Sequence, residues 1–444
     1  MNSSAARVHS ESAWAARIPK AVLWVVISLT AILFAVRGPV RYFRIPGDWN
    51  DFSQNYTASK LWLNGESPAD PKNFVALWKQ QSHSRLDLTD IRTHLAPPLG
   101  GLVTMAPVAA LPWNIAKPLW LSLLLLSFGA TVWSLARLVG RQWNDSVTMI
   151  FVAACLGFAP FHTGVANGNT TVLVIGLCAL ALRWASNEND LAAGIAFGFA
   201  CSLKPQIGAF LVLYYLLGRR WRLCTIAVGW TVALNLIATL YLRLRGVSWF
   251  HDYVNNARGF VTNNNIDSFT SENPGRFSLI NLQVPFFSIT GRSGSANLLA
   301  FAITAILVCA WAFWILRKSR IPELLSLGTV SAITLLPVYH RFYDAGLLAI
   351  PLLWCIEHVT DESKGIARWG LLLIVPFFFP GSAVLERISS SGRLPDFIAN
   401  SPLWTTVILP HENWSILLLC LVLLFGMRNY AVPPNDSPAT SNVH

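Results

Sequence analysis

The feature that most constrains this chain is a succession of long apolar runs separated by short polar segments. Of its 444 residues, 54% are hydrophobic and only 12% are charged, whereas a soluble domain carries roughly 25% charged residues. A soluble fold cannot bury that much apolar surface, so lipid must be the solvent for most of the chain. Candidate spans lie at about 21–38, 97–112, 117–138, 146–163, 168–184, 190–204, 206–218, 223–243, 296–316, 322–338, 342–358, 367–385 and 413–427.

These runs predict an all-α polytopic membrane protein with about 11–13 transmembrane or re-entrant helices. The membrane domain covers residues 21–430, and the polar tails 1–20 and 431–444 are expected in the cytoplasm. The first run has basic residues before it and no small-residue cleavage site after it, which indicates a retained helix and not a signal peptide.

Basic residues in the short loops predict the orientation in the membrane, because such residues stay on the cytoplasmic side. The groups Arg219–Arg222 and Arg317–Arg320 are the clearest examples, and they place the loops 244–295 and 386–412 on the outer face. The three basic residues of the N-terminal tail place that tail inside, so the loop 41–95 is also expected outside. Between 97 and 218, spans that simply alternate in direction do not fit this rule. Residues Arg137, Arg141, Arg183 and Arg219 would all have to lie on the cytoplasmic side. Broken or re-entrant helices, near the prolines of 97–112 or at Lys204-Pro205, would restore the parity.

The charge and cysteine content exclude several other functions. The net charge of +11 is explained by these loops, so no nucleic acid partner is predicted. The seven cysteines all fall inside apolar runs without metal-ligand spacing, and no phosphate-binding loop or hydrolase motif is present. The sequence therefore predicts neither a metal nor an organic cofactor.

The long first loop, 41–95, carries two acids just past the first span, Asp48 and Asp51. A carboxylate that is partly buried at a bilayer surface has a raised pKa and can act as a general base. Further along, Phe74, Leu77 and Trp78 fall at helical spacing, which predicts a short helix lying in the membrane interface.

Five segments, in order, resemble glycosyltransferase family 87, a family of polyprenyl-phosphate-sugar-dependent enzymes of the GT-C superfamily. Asp51-Phe52 with Tyr56, Ala58 and Gly65 is similar to the opening motif of the family. The other four are Ala96-Pro97-Pro98-Leu99, Gly168-Asn169-Thr170-Thr171, the stretch from Ala193 to Lys204-Pro205, and Leu336-Pro337-Val338-Tyr339-His340-Arg341. At Gly168-Asn169 the family usually has Gly-Gln, so this chain departs from the pattern there.

The resemblance implies a GT-C-like fold and a site on the outer face of the cell membrane. The motif maps the catalytic base to Asp51, with Asp48 as the alternative. The resemblance also assigns Lys204, His340 and Arg341 to the phosphate of the donor, and Tyr56, Asn167, Asn169 and Tyr339 to the lining of the substrate site. A lysine in an apolar run is costly unless it is paired or faces water, although a snorkelling lysine at a helix end is the structural alternative for Lys204.

The predicted function is transfer of a hexose, by default mannose, from a polyprenyl-phosphate-linked donor to a lipid or glycan acceptor, with inversion. Membrane lipids complete the expected partners. A secondary transporter is the first alternative, since broken helices and an intramembrane lysine are transporter features. A polysaccharide polymerase or ligase is the second, because it shares many spans and a large outer loop.

Overall fold

The computed structural model describes residues 14–45, 50–82, 98–259, 267–317, 321–361 and 363–431. Within these residues almost all regular structure is helical, and one antiparallel ladder pairs β1 (Leu279–Ile280) with β2 (His340–Arg341). The helices are α1 Lys20–Ala35, α2 Arg41–Arg44, α3 Asp51–Asn64, α4 Pro71–Ser82, α5 Leu99–Ala109, α6 Trp113–Leu138, α7 Ser146–Gly157, α8 Ala159–Ala166, α9 Thr171–Ser186, α10 Asp190–Leu203, α11 Pro205–Leu217, α12 Trp221–Leu244, α13 Phe250–Gly259, α14 Gln283–Thr290, α15 Ser293–Leu316, α16 Glu323–Ile333, α17 Ala349–Glu357, α18 Lys364–Ile374, α19 Gly381–Ser390, α20 Asp396–Ala399 and α21 His411–Ala431.

The prediction of an all-α polytopic membrane protein is confirmed. Five helical segments of the described chain are long and apolar enough to cross a membrane: Lys20–Arg44, Trp113–Leu138, Trp221–Leu244, Ser293–Leu316 and His411–Tyr430. Two bent pairs, α7 with α8 and α18–α19, raise the number to seven if each is one span. Another five apolar helices, α5, α9, α10, α11 and α16, are shorter than a full crossing. The predicted 11–13 segments therefore include several that are too short to span alone.

Burial separates the helices that face lipid from those that form the core. The side chains of Leu240 on α12 and of Leu298 and Ile306 on α15 are more than half exposed. Exposed aliphatic side chains in rows are unfavourable in water, so these faces suit contact with lipid acyl chains. The core lies around α7–α10, α16 and α17, where Phe197 and Trp354 have no exposed surface.

Short turns gather the basic groups at one end of the helix bundle, which we call the turn end. The side chain of Arg220 donates to the carbonyl oxygen of Ala185 at 3.1 Å, so the turns after α9 and α11 adjoin. The guanidinium of Arg183 lies 4.5 Å from the ring of Trp133 near the end of α6. Arg137, Arg183 and Arg219, which lie at or just past the ends of α6, α9 and α11, are thus at the same end of the bundle, as their shared basic character predicts.

The candidate segment 97–112 forms a short helix, α5, which fits the re-entrant alternative and restores the parity. Helix α5 has 11 residues, about 16 Å of helix, and packs against α3 and the second half of α12, on the side of the bundle away from the turn end, which we call the α3 end. The amide of Gly100 donates to Asn235 at 3.0 Å, and the hydroxyl of Tyr56 on α3 donates to the carbonyl of Leu111 at 2.6 Å. Helix α6 therefore starts at the α3 end and runs to the turn end.

Helices α10 and α11 form an antiparallel hairpin whose apex is Lys204. The guanidinium of Arg220, just after α11, binds the carboxylate of Asp190 at the start of α10, so both outer ends of the hairpin are joined. Pro205 is the first residue of α11 and needs no amide hydrogen bond there. The expected helix break at Lys204-Pro205 is therefore present, and it brings Lys204 to the α3 end.

The short helix predicted around Phe74, Leu77 and Trp78 exists as α4, but its apolar face packs on protein. Phe74 is 5% exposed and clusters with Ala58 and Trp62 of α3 and with Leu99. The apolar spacing of α4 therefore reflects packing inside the protein. Helix α3 provides the apolar surface against which α4 packs, where we expected lipid.

Candidate active site

Asp51 is fixed at the first position of α3 by the residues around it. Asn50 caps the helix: its side-chain oxygen accepts from the amide of Ser53 at 2.9 Å, and the Ser53 hydroxyl oxygen accepts from the amide of Asn50 at 3.1 Å. The amide of Asp51 donates to the carbonyl of Asn167 at 3.0 Å. An acid in the first helical turn is also favoured by the helix dipole. The sequence thus places this carboxylate at a defined point.

A glycine turn between α8 and α9 brings an amide side chain to that carboxylate. Gly168 has φ +63°, and a Cβ there would lie 2.7 Å from Phe52 and 2.8 Å from Tyr42, so glycine is required. Just after it, the Nδ2 of Asn169 donates to the Oδ2 of Asp51 at 2.7 Å. The Oδ1 of Asn169 accepts from the amide of Thr171 at 2.8 Å, which fixes which way the side-chain amide points.

Asp344 is the buried centre of a second cluster. Its carboxylate is 2% exposed and accepts from the Nζ of Lys204 at 2.7 Å, from the hydroxyl of Thr171 and from the backbone amide of Arg341 at 3.1 Å. The Nδ1 of His340 lies 3.1 Å from the same carboxylate. Buried charge requires such pairing, so Asp344 accounts for how Lys204 is accommodated in an apolar hairpin.

The ring of His340 is held between two acceptors. Its Nε2 lies 3.0 Å from the carbonyl oxygen of Thr334, while its Nδ1 faces Asp344. A neutral imidazole has only one N–H, so the ring satisfies both contacts as donors only when both nitrogens carry protons. The side chain is fully buried, and with its two nitrogens engaged it reaches substrate only through Asp344.

Arg341 is brought to the site by the β1–β2 ladder, in which it pairs with Leu279. Its guanidinium binds the carboxylate of Asp267 at 2.6 Å, and its side chain remains 24% exposed. Lys204, at 15% side-chain exposure, lies 5.0 Å from the ring centroid of Tyr343. Both cations therefore present part of their surface outwards while one neighbouring acid orients each of them.

The surroundings of Asp51 set its proton affinity. Burial raises the pKa of the Asp51 carboxyl above its ordinary value. The Asn169 hydrogen bond, the positive charges of Arg341 and Lys204 and the Tyr343 hydroxyl act in the opposite direction without cancelling the effect of burial. Hydrogen bonds also join the two clusters into one site, because Asn169 contacts both Asp51 and the amide of Thr171, and the Thr171 hydroxyl binds Asp344.

The predicted site residues divide into a partly exposed front and a buried back. Partly exposed are Asp51, Asn167, Lys204, Tyr339 and Arg341, whereas Asn169 and His340 lie behind them. Tyr56 lies apart from this front: it is 1% exposed, it packs against Phe52 and Trp113, and its hydroxyl is engaged by Leu111. Asp48 lies outside the described residues.

Sequence reasoning assigned no role to four residues of this site, namely Thr171, Asp267, Tyr343 and Asp344. One signal for Asp344 was available: an acid in the apolar stretch after His340 must find a cation, and Lys204 in another apolar stretch must find an acid. Among the described residues no group of three or more His, Cys, Asp or Glu side chains is arranged to hold a metal ion.

The structure combines a helix bundle with a carboxylate beside two cations. Comparison with known proteins identifies the family to which the chain belongs. The sequence model of glycosyltransferase family 87 matches residues 97–338, more than half of the chain. The chain therefore belongs to glycosyltransferase family 87. Asn167, Asn169 and Lys204 lie inside the matched region, whereas Asp51 precedes it and His340 follows it.

Curated relatives match over a shorter stretch. The chain is 31% identical over 153 residues to an alpha-(1->3)-arabinofuranosyltransferase of Mycobacterium tuberculosis, strain CDC 1551 / Oshkosh, and equally to that of strain ATCC 25618 / H37Rv. The match covers 33% of this chain and 34% of the relative, so the chain spans about a third of the length of the curated relatives it matches. No solved structure matches.

Proposed function

We propose that this chain transfers one sugar from a polyprenyl-phosphate-linked donor to a hydroxyl of a lipid or glycan acceptor, in a single inverting displacement. The observation that carries the proposal is the Asp51 carboxylate, held at 2.7 Å by Asn169 with Lys204 and Arg341 near enough to shift its pKa. A base next to two cations meets the needs of a reaction in which a hydroxyl loses a proton and a phosphate departs with negative charge.

In the proposed step the Asp51 carboxylate takes the proton of the acceptor hydroxyl as that oxygen bonds to the anomeric carbon. The bond between the anomeric carbon and the phosphate oxygen breaks, and the phosphate leaves with the electron pair. Lys204 and Arg341 stabilise the charge that grows on this phosphate. Each is held by an acid on its other side, at 2.7 and 2.6 Å, so little reorganisation is needed during the reaction.

His340 has a positioning role in this proposal. Its ring faces Asp344, which in turn binds Lys204, so His340 orients the Asp344 carboxylate behind the donor site. Asn167 and Tyr339, which are partly exposed at the front, contact the substrates. Tyr56 supports α3 from behind through its hydrogen bond to Leu111.

The proposed site faces the outside of the cell membrane. By the positive-inside rule the turn end is cytoplasmic, since Arg137, Arg183 and Arg219 lie at or just past the ends of α6, α9 and α11, away from Asp51. A donor presented by a lipid in the outer leaflet would then meet Asp51 without crossing the bilayer.

Two observations suggest different sugars for the transferred group. Resemblance to the mannosyl-transferring members of the family suggests a hexose, mannose by default. The printed activity of the curated relatives suggests an arabinofuranose. We propose the polyprenyl-phosphate donor for both, because the cations of the site address the phosphate and not the sugar. A secondary transporter is disfavoured by family membership.

The test measures sugar transfer by the purified chain in nanodiscs, with labelled polyprenyl-phosphate-mannose and polyprenyl-phosphate-arabinofuranose as alternative donors. Asp51→Asn is expected to lower turnover about 100-fold or more, because the amide cannot take a proton yet can still accept from Asn169. Asp70→Asn is the matched control, since Asp70 also stands at a helix start, where its oxygen accepts from the amide of Lys72. Full activity of Asp51→Asn with either donor would refute the assigned base.

A further inference from the structure

Tyr343 stands between the proposed base and one of the two cations, and the proposed reaction uses neither its ring nor its hydroxyl. It belongs to the 3₁₀ helix Phe342–Leu348, directly after β2, and it is partly exposed at the front of the site. The centroid of its ring lies 5.0 Å from the Nζ of Lys204. Its hydroxyl acts on the Asp51 carboxylate as a hydrogen-bond donor. One side chain therefore reaches both halves of the site.

The ammonium of Lys204 is held from two sides. The Oδ1 of Asp344 accepts from the Nζ at 2.7 Å, and the ring of Tyr343 offers its face to the same cation. An ammonium has three N–H donors, so these two contacts leave at least one donor for a substrate oxygen. A lysine side chain loses conformational entropy when it binds an anion. Two contacts that hold it in place beforehand reduce that loss.

The position of Tyr343 is fixed by the backbone around it. Helix α8 comes close to it at Gly164, where a Cβ would lie 3.4 Å from the Cβ of Tyr343. The next residue, Asp344, accepts from the hydroxyl of Thr171 and from the backbone amide of Arg341. The 3₁₀ helix that carries the tyrosine is thus anchored at its first turn. A ring on such a support can orient a neighbouring cation.

The hydroxyl of Tyr343 has charged groups of both signs around it. Besides Lys204, four such groups act on it: Asp51, Asp344, Asp267 and Arg341. A phenol keeps its proton at neutral pH, so this hydroxyl can donate to a carboxylate. Donation to Asp51 stabilises the ionised form of that carboxylate, which is the form that accepts a proton.

We propose that Tyr343 is a positioning residue, which sets the Asp51 carboxylate and the Lys204 ammonium relative to each other through its hydroxyl and its ring. The carboxylate then meets the acceptor hydroxyl while a free N–H of the ammonium meets the departing phosphate. The contribution to transfer rests on the proposed function. The contact with Lys204 does not, because it affects the binding of a phosphate even when no sugar is transferred.

The first measurement is the binding of polyprenyl phosphate, which carries no sugar, to the purified full-length chain in nanodiscs. Tyr343→Leu removes the ring and should weaken binding about fivefold, which corresponds to a cation–π contact of about 1 kcal/mol. Tyr343→Phe keeps the ring and should bind as tightly as the unmodified chain. Tyr241→Leu is the matched control, since the Tyr241 ring lies 5.4 Å from the Arg245 guanidinium and its hydroxyl donates to the carbonyl of Leu63, outside the site.

The second measurement is the pH profile of sugar transfer, which isolates the hydroxyl. Tyr343→Phe loses the donor that stabilises the ionised Asp51, so the fall of kcat/KM on acidification should begin at higher pH, with the KM for the donor nearly unchanged. Tyr343→Leu should show the same shift together with a raised KM for the donor. Tyr241→Phe should leave the profile in place.

The two measurements also separate this inference from the proposed function. If the unmodified chain transfers sugar and both Tyr343 variants match it in phosphate binding and pH profile, Tyr343 has no positioning role. The same conclusion follows if the variants only lower the temperature of unfolding in detergent. If no donor supports transfer but Tyr343→Leu still weakens the binding of polyprenyl phosphate, the proposed function is wrong and the contact between Tyr343 and Lys204 is supported.

Discussion

Asp51 shows how one residue takes its properties from its neighbours. The carboxyl is partly buried, which raises its pKa, while Asn169 and two cations limit the increase. A carboxylate in this position binds a proton more strongly than a solvated aspartate does. The pH dependence of transfer follows from this balance.

We predict that kcat/KM falls on acidification through a pKa above the ordinary value for aspartate, about 3.9, because only the ionised carboxylate accepts the proton. In Asn169→Ser the hydroxyl can still accept from the amide of Thr171, but it is too short to donate to Asp51. Losing that donor removes a contact that lowers the pKa, so the acid limb should move to higher pH. The measurement is kcat/KM between pH 4 and 8.

Asn55→Ser is the control for this pH profile. Asn55 lies on the same helix as Asp51, but its side chain donates to the backbone carbonyl of Asp51 and not to the carboxylate. The acid limb of Asn55→Ser should coincide with that of the unmodified chain. An acid limb that stays in place in Asn169→Ser would show that Asn169 does not tune the base.

Lys204 and Asp344 make a second prediction at the scale of single residues. Asp344 accepts from the Nζ of Lys204, so Asp344→Asn leaves the charge of Lys204 with a neutral partner in a buried setting. Removing one partner of a buried ion pair costs about 3–5 kcal/mol. The double variant Lys204→Met with Asp344→Asn should be destabilised less than Asp344→Asn alone, as measured by thermal unfolding in detergent. Additive losses would mean that the two charges are not coupled.

At the scale of elements, the turn between α8 and α9 decides whether the base and its partner meet. The left-handed conformation of Gly168 carries the chain from Asn167, which accepts from the Asp51 amide, to Asn169, which donates to the Asp51 carboxylate. Two separate helices are thereby fastened to the start of α3 by one three-residue turn. The site depends on this turn more than on the length of either helix.

We predict that Gly168→Ala disrupts the site. The new methyl would meet Phe52 and Tyr42 at under 3 Å, and alanine is also disfavoured at φ +63°. Together these effects should cost about 1–3 kcal/mol of stability and lower transfer activity with it. Gly392→Ala isolates the conformational part, because Gly392 has φ +70° with open space around its Cβ position. If both variants lose the same stability, the packing at Gly168 is not what matters.

Some of the helices and helix breaks could be predicted from the sequence, and others could not. The break at Lys204-Pro205 was predictable, because a proline that follows a lysine in an apolar run marks a helix boundary. The character of α5 was not, since its 11 residues are as apolar as a span and only the contacts to Asn235 and Leu111 reveal that it stays at one end. Asp344 was visible but unassigned, because its partner Lys204 is 140 positions away in the chain.

At the scale of the whole molecule, the helices alternate between two ends of different chemistry. When α5 is not counted as a crossing, the direction of successive helices alternates without conflict from α6 to α12, with α7 and α8 taken as one. The arginines at the ends of α6, α9 and α11 then all lie at the turn end. Asp51, Lys204 and Arg341 lie at the α3 end. The proposed outer-face site therefore has a direct test in the side of the membrane to which each end is exposed.

We predict that a cysteine at Ser391, which is exposed beyond α19 at the α3 end, reacts with an impermeant maleimide in intact cells. A cysteine at Ser186, exposed at the end of α9 at the turn end, should react only after the membrane is permeabilised. Native cysteines could also react with the reagent. Six of the seven are buried and Cys309 is exposed, so Cys309→Ser is the parent chain for both variants. Because both introduced residues replace a serine at or just past a helix end, their intrinsic reactivities should be similar. The accessible side then decides the labelling. The reverse pattern would put Asp51 on the cytoplasmic side and remove the argument for a donor in the outer leaflet, while leaving the chemistry of the carboxylate and its two cations as it stands.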